Sequence, residues 1–136
     1  MGSNKKTISG NYAGLVELAI SVLNFSYSEI KEKYTKYPLC LFNYMEKGVE
    51  DKYLEIRFDD DGVTLSCNFD ADDTCDFVYL FADSDEQIED IILYFKENYA
   101  YDFVNKRWSV LRYYIKVKEK EYAKDEMCLA FFKQYL

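Results

Sequence analysis

Two alternating runs on either side of one turn constrain this chain more than any other feature. Leu54, Ile56 and Phe58 alternate with Tyr53, Glu55 and Arg57. After Asp59-Asp60-Asp61-Gly62, Val63, Leu65, Cys67 and Phe69 alternate with Thr64, Ser66 and Asn68. Successive strand side chains point to opposite faces, so period-two alternation about an Asp-Gly turn predicts an antiparallel hairpin with one buried face. The polar face would meet solvent or a partner.

The rest of the chain is read around that hairpin. Residues 1–10 are expected to form a flexible arm, and residues 11–136 a single α+β domain. A helix is predicted from about Asn11 to Asn24, where Tyr12, Leu15, Val16, Ala19, Val22 and Leu23 share one stripe. Ser26-Tyr27-Ser28-Glu29 has the spacing of a capping box and starts a second helix, with Tyr27, Ile30 and Tyr34 inward and an end forced by Pro38. Leu39 to Tyr44 is a short apolar run and a candidate first strand. Asp76 to Ala82 is apolar on both faces, which predicts a central strand. Ser84-Asp85-Glu86-Gln87 is a second capping box. It opens a helix to about Tyr99 that buries Ile88, Ile91, Ile92, Phe95 and Tyr99.

Tyr101 to Lys106 reads as a loop. Arg107 to Lys118 reads as one long strand with Leu111, Tyr113, Ile115 and Val117 inward, a helix being the alternative. Met127 to Leu136 is strongly apolar and reads as a final helix. The predicted fold is α+β: an antiparallel sheet of about four to five strands, N-terminal helices, and a helix packed on one face. Phe58, Leu65, Ile92 and Phe95 are expected in its core.

Composition removes several kinds of chemistry. The 136 residues include no His, so the commonest general base and every Ser-His or Cys-His pair are missing. The five Gly are isolated and form no phosphate-binding loop. Cys40, Cys67, Cys75 and Cys128 lack C-x-x-C spacing and are expected as free buried thiols, with Cys67 and Cys75 able to face each other across neighbouring strands. Asp70, Asp72 and Asp73 imitate the opening of a calcium loop. Its sixth and twelfth positions, however, hold Cys75 and Phe81 where Gly and Glu belong. No metal, cofactor or catalytic residue is expected, and the chain is read as a non-enzyme. No apolar run approaches the ~20 residues of a membrane helix, and no secretory signal is visible, so the expected location is cytoplasmic.

Charge is unevenly distributed. Residues 50–90 hold fifteen of the chain's 25 acids but only Lys52 and Arg57 of its 17 bases, so this window carries −13 and the remainder +5. A net charge of −8 argues against direct contact with nucleic acid. Lys106, Arg107, Arg112, Lys116, Lys118, Lys120 and Lys124 are read as polar edges of the last strand and a solvated turn. The acidic window has a structural explanation in part, because turns and helix N-termini favour carboxylates. It also predicts a docking surface for a basic protein. Asp59, Asp60, Asp61, Asp70, Asp72, Asp73 and Asp76 would supply charge, and Tyr53 and Tyr79 aromatic anchors.

With the carboxylate-rich turns Asp59-Asp60-Asp61 and Asp70-Ala71-Asp72-Asp73 on a compact α+β body, the chain resembles the small immunity proteins of bacterial contact-dependent inhibition and other polymorphic toxin systems. The resemblance lies in layout and composition. It implies a stoichiometric inhibitor that covers the basic active site of a cognate toxin, typically a nuclease, with carboxylates in place of substrate phosphates. Two alternatives stand beside it: an acidic DNA mimic of phage or plasmid origin that inhibits restriction or CRISPR enzymes, and a general protein-interaction adaptor.

Overall fold

A computed structural model describes residues 12–46, 49–120 and 123–133, with side chains placed for all of these except 42–51 and 119–126. The arm expected at 1–10 lies outside the described residues. In chain order the elements are α1 (Tyr12–Ser21), α2 (Tyr27–Lys33), β1 (Leu39–Glu46), β2 (Val49–Phe58), a 3-10 turn (Asp59–Asp61), β3 (Val63–Phe69), β4 (Cys75–Ala82), α3 (Asp85–Asn98), β5 (Ala100–Asp102), β6 (Arg107–Val110), β7 (Tyr113–Lys120) and β8 (Ala123–Lys133).

All the described strands belong to one antiparallel sheet of eight, in the order β1-β2-β3-β4-β8-β7-β6-β5. Two four-stranded meanders therefore meet at a β4–β8 seam. After β4 the chain passes through α3 to the far edge and works back strand by strand. The predicted hairpin is present as β2 and β3, with Ile56 opposite Leu65 and Leu54 opposite Cys67.

The expectation of four to five strands is corrected to eight, and each added strand has a local cause. The run from Arg107 to Lys118 is broken by a turn at Leu111, whose φ of 55° puts it in the left-handed region, and Leu111 is exposed rather than inward. A left-handed leucine carries no sequence signal, since Gly or Asn normally occupies that conformation. The expected loop at 101–106 is instead a hairpin tip between β5 and β6, built by Asp102. Its Oδ1 accepts from the amides of Val104 (2.9 Å) and Asn105 (3.1 Å). The expected final helix is strand β8. It lies between β4 and β7 with Cys128, Leu129, Ala130 and Phe131 all buried, and a run buried on both faces shows no period to separate strand from helix.

The helices cover one face of the sheet. Leu54, Ile56, Phe58, Leu65, Val78, Leu80, Ile115, Leu129 and Phe131 meet Leu15, Val16, Ala19, Ile30, Ile88, Ile91 and Phe95 in one core. Both α1 and α3 lie against β4 and β8. Phe95 is fully buried among the rings of Tyr99, Trp108 and Phe131, at centroid distances of 5.7, 5.3 and 6.4 Å. Ile92, expected in the core, is only half-buried. Ile88, Ile91 and Phe95 fill the inner stripe of α3 and turn Ile92 to its flank.

The second helix begins as expected. Ser26 Oγ accepts from the Glu29 amide at 3.2 Å, and Glu29 Oε1 accepts from the Ser26 amide at 2.9 Å. It ends at Lys33, earlier than the Pro38 limit, with Tyr34 as its cap. None of the four cysteines forms a disulfide, but Cys40 is exposed, because it sits on the edge strand β1. Cys67 does reach Cys75: a hydrogen bond between the thiols, together with burial, pushes the Cys75 thiol far above its usual range.

Truncations should follow this burial. Leu65→Ala and Phe95→Ala are expected to cost about 2–5 and 3–5 kcal/mol in urea unfolding. Ile92→Ala should cost clearly less, and an equal loss there would contradict the orientation of α3.

Candidate protein-binding surface

The acidic turns do not form one surface. Asp59, Asp60 and Asp61 close the β2–β3 end of β3, whereas Asp70, Asp72 and Asp73 lie in the β3–β4 turn at its other end. A seven-residue strand separates its ends by roughly 20 Å. That exceeds two Debye lengths at physiological salt, so a small partner would feel the two clusters separately.

The cluster at the β3–β4 end is largely explained by turn chemistry. Asp70 Oδ1 accepts from the amides of Asp72 (2.8 Å) and Thr74 (3.1 Å), the hydrogen bonding for which Asp is favoured in turns. Asp73, at φ 61°, pairs with Lys52 Nζ at 3.7 Å. This turn is also clamped to the α1–α2 link: the Asn24 amide donates to Cys75 O and the Cys75 amide to Phe25 O, both at 2.8 Å.

Asp76 is the extra residue of a bulge. Asn68 is opposite Phe77 and Phe69 opposite Cys75, so Asp76 has no counterpart on β3. It is half-buried, and its Oδ1 is buried without a hydrogen-bond partner. Burial raises its carboxyl above the usual 3.8, and the nearby Asp70 charge adds to the rise. The amides of Asp76 and Phe77 oppose both effects.

The other end gathers more charge than the turn alone contains. The Asp83 amide donates to Gly62 O at 2.9 Å, and Gln87 Nε2 donates to Asp61 O at 3.0 Å. These bonds hold the start of α3 against the β2–β3 turn. Gly62 closes the turn at φ 68°, the left-handed conformation that favours glycine, and a Cβ there would lie 3.3 Å from Gln87 Oε1, a tight contact with a side-chain end. Ser84 Oγ caps α3 by accepting from the Gln87 amide at 3.2 Å. The expected reciprocal half of that capping box is not the use Gln87 makes of its side chain, which reaches across to the turn instead.

The outcome is an end where Asp59, Asp60, Asp83, Asp85 and Glu86 are all exposed together. Arg57 Nη2 lies 3.1 Å from Asp59 Oδ1, but both side chains are 60% exposed, so the pair contributes at most about 1 kcal/mol. Asp61 differs from its neighbours. It is buried, and its place is in the turn rather than on the accessible surface.

Tyr79, opposite Ser66, lies midway between the acidic ends, and Tyr53, opposite Asn68, lies near the β3–β4 end. Directly paired residues share a face, so the pairings place Tyr53, Asn68, Phe77, Phe132 and Tyr114 in one row on the helix-free side of the sheet, with Glu55, Ser66, Tyr79, Ala130 and Lys116 in the next. The Phe77 ring lies parallel to Tyr79 at 6.2 Å and against Phe132 at 5.4 Å. Lys118 Nζ stands 5.1 Å from the Tyr79 ring, and the Arg107 guanidinium 3.6 Å from that of Tyr114. Sequence reasoning singled out Tyr53 and Tyr79 but not Phe132 or Tyr114, because those lay in segments assigned to a helix or to one long strand. The contribution of Asp83, Asp85 and Glu86 was hidden by distance along the chain; its one sequence trace is the capping box at Ser84.

A shallow apolar groove of about 420 Å³ at the β5–β6 hairpin is lined by Lys96, Tyr101, Phe103 and Trp108. It brings no acid–base pair together. Among the described residues, no group of three or more Cys, Asp or Glu side chains is placed to hold a metal ion. No described helix is long and apolar enough to cross a membrane. Neither protein-family models, nor curated proteins, nor solved structures give a match to this chain.

The state of Asp76 has a measurable consequence. A folded-state value above the unfolded one means that ionisation costs stability as pH rises through the folded value. Asp76→Asn should therefore raise the thermal midpoint near neutral pH, and its advantage should shrink as pH falls through the raised folded value towards 3.8 and be lost below it. A destabilised Asp76→Asn protein at pH 7 would show instead that the charged form is favoured in the fold.

Proposed function

We propose that this chain is a non-enzymatic, cytoplasmic immunity protein that binds a cognate basic toxin, most simply a nuclease, and blocks its active site. The observation that carries this reading is the convergence of Asp59 and Asp60 with Asp83, Asp85 and Glu86 at one end of the sheet. Five exposed carboxylates on a rigid turn and helix start offer an anionic surface of the kind a phosphate-binding site accepts. Its rigidity limits the entropy lost on binding. Of the aromatic residues on the helix-free face, Tyr79 lies mid-strand and would supply a contact, while Phe77 and Tyr53 stand opposite Asn68, towards the β3–β4 end. Asp72, at the far end of β3, would contribute little at physiological salt, and Asp70, Asp73 and Asp76 are committed largely to the β3–β4 turn.

A DNA-mimicking inhibitor of restriction or CRISPR enzymes fits less well. It needs carboxylates at phosphate-like intervals along one extended face, whereas here the two clusters are separated by a polar and aromatic sheet flanked by Lys116 and Lys118. A general adaptor remains the third reading, and partner identity separates it from the other two.

The test is a pull-down from the native host with the tagged protein as bait, at low and moderate salt. The expected product is one basic protein, released as salt rises, whose nuclease activity falls at a one-to-one ratio with this chain. Recovery of a restriction or CRISPR enzyme would replace the immunity reading. With the partner in hand, Asp59→Lys, Asp60→Lys and Asp85→Lys combined should slow association roughly tenfold or more at low salt. Asp72→Lys at the opposite end should have a much smaller effect. Equal effects from the two ends would remove the β2–β3 turn from the interface.

A further inference from the structure

The sheet ends in two unlike edges. β5 is three residues long, and short edge strands expose little backbone. β1 runs for eight residues, Leu-Cys-Leu-Phe-Asn-Tyr-Met-Glu, and no described strand pairs with its outer side. From Leu39 to Met45 it contains no charge, no proline and no glycine. Over that stretch it therefore carries none of the charge or proline that keeps exposed edges from pairing.

The direction of its free backbone groups follows from its pairing with β2. The Arg57 amide donates to Pro38 O at 3.0 Å, and antiparallel hydrogen-bonded pairs recur at every second residue. Cys40, Phe42, Tyr44 and Glu46, opposite Glu55, Tyr53, Asp51 and Val49, thus turn their backbone groups towards β2. Leu39, Leu41, Asn43 and Met45 turn theirs outward.

We propose that β1 pairs antiparallel with β1 of a second copy of this chain, with Phe42 opposite Phe42 on the two-fold axis. In this register Leu39 is opposite Met45 and Leu41 opposite Asn43. Every outward-facing residue meets an outward-facing residue of the other copy, and each such pair exchanges both of its hydrogen bonds. The interface is isologous, so it closes at two copies.

Charge supports a second copy as the occupant. Residues 29–38, leading into β1, carry three Lys and two Glu, net +1, whereas residues 46–52, from its C-terminal end into β2, carry three acids and two Lys, net −1. Antiparallel pairing sets each net-positive end beside a net-negative one. The neutral stretch between them brings no like charges together despite the net charge of −8. The acidic β2–β3 turn stands inboard, above β2 and β3. The pairing does not rest on the functional reading of that turn.

The experiment is sedimentation velocity on the full chain across a wide concentration range at moderate salt. The expected species has twice the 16.2 kDa mass of one chain. Asn43→Pro removes an outward amide without removing a bond to β2, and Leu41→Lys adds a charge to the edge. Each should yield a folded monomer, with unchanged circular dichroism as the control. In a Cys40→Ser background, Phe42→Cys should form a disulfide between copies on mild oxidation, because non-hydrogen-bonded antiparallel partners have Cα atoms about 4.5 Å apart, within disulfide range. That cross-link should vanish when Asn43→Pro is added. A monomer at every concentration, or a dimer that both edge variants leave intact, overturns the proposal. A dimer that the variants dissolve but Phe42→Cys does not cross-link overturns the register.

Discussion

The pairing of β4 with β8 is the constraint on which the rest of the molecule depends. Phe77, Val78, Tyr79 and Leu80 lie opposite Phe132, Phe131, Ala130 and Leu129, and this short ladder joins the two meanders into one sheet. Hydrogen bonds alone would make a modest seam, since each contributes only about 1 kcal/mol net. The greater part is apolar burial. Val78, Leu80, Leu129 and Phe131 are all fully buried on the helix side, under α1 and α3. On the other side Phe77 packs on Phe132. The seam thus has apolar packing on both faces, which is why the runs Asp76–Ala82 and Met127–Phe132 alternate so little in sequence.

Legibility in the sequence followed local physics. The β2–β3 hairpin, the cap of α2 and the buried stripe of α3 could be read directly, because each is fixed by residues within one or two turns of chain. The seam strand β8 could not, because burial on both faces erases the period. Nor could the break between β6 and β7, because its turn holds Leu111 in a left-handed conformation that tertiary structure imposes. Both errors lowered the strand count. Neither changed the class of fold.

The candidate surface divided in the same way. Carboxylates in the turn from Asp59 to Asp61 were evident, but adjacency in sequence made the Asp70–Asp76 group look like their continuation. The two groups lie at opposite ends of one strand. The true neighbours of Asp59 and Asp60 are Asp83, Asp85 and Glu86, brought there by Gln87 and by the Asp83 amide. A glutamine at the third position of a helix would ordinarily fold back on its own cap. Here the β2–β3 turn competes for it and wins, so a local motif became a long-range tie.

The order of the sheet also bears on how the chain is made. During synthesis the first meander is complete once Ala82 has emerged, but its inner strand β4 stays an open edge until the residues of β8 follow, after α3 and three further strands. For that interval an apolar strand with unpaired backbone groups faces the crowded interior of the cell, and loop closure over so many residues is slow. The nascent chain is therefore most vulnerable at the strand that ends up best buried. Shielding of that edge, by α1 resting on it early or by a chaperone, would then set the yield of folded protein more than the stability of the finished sheet.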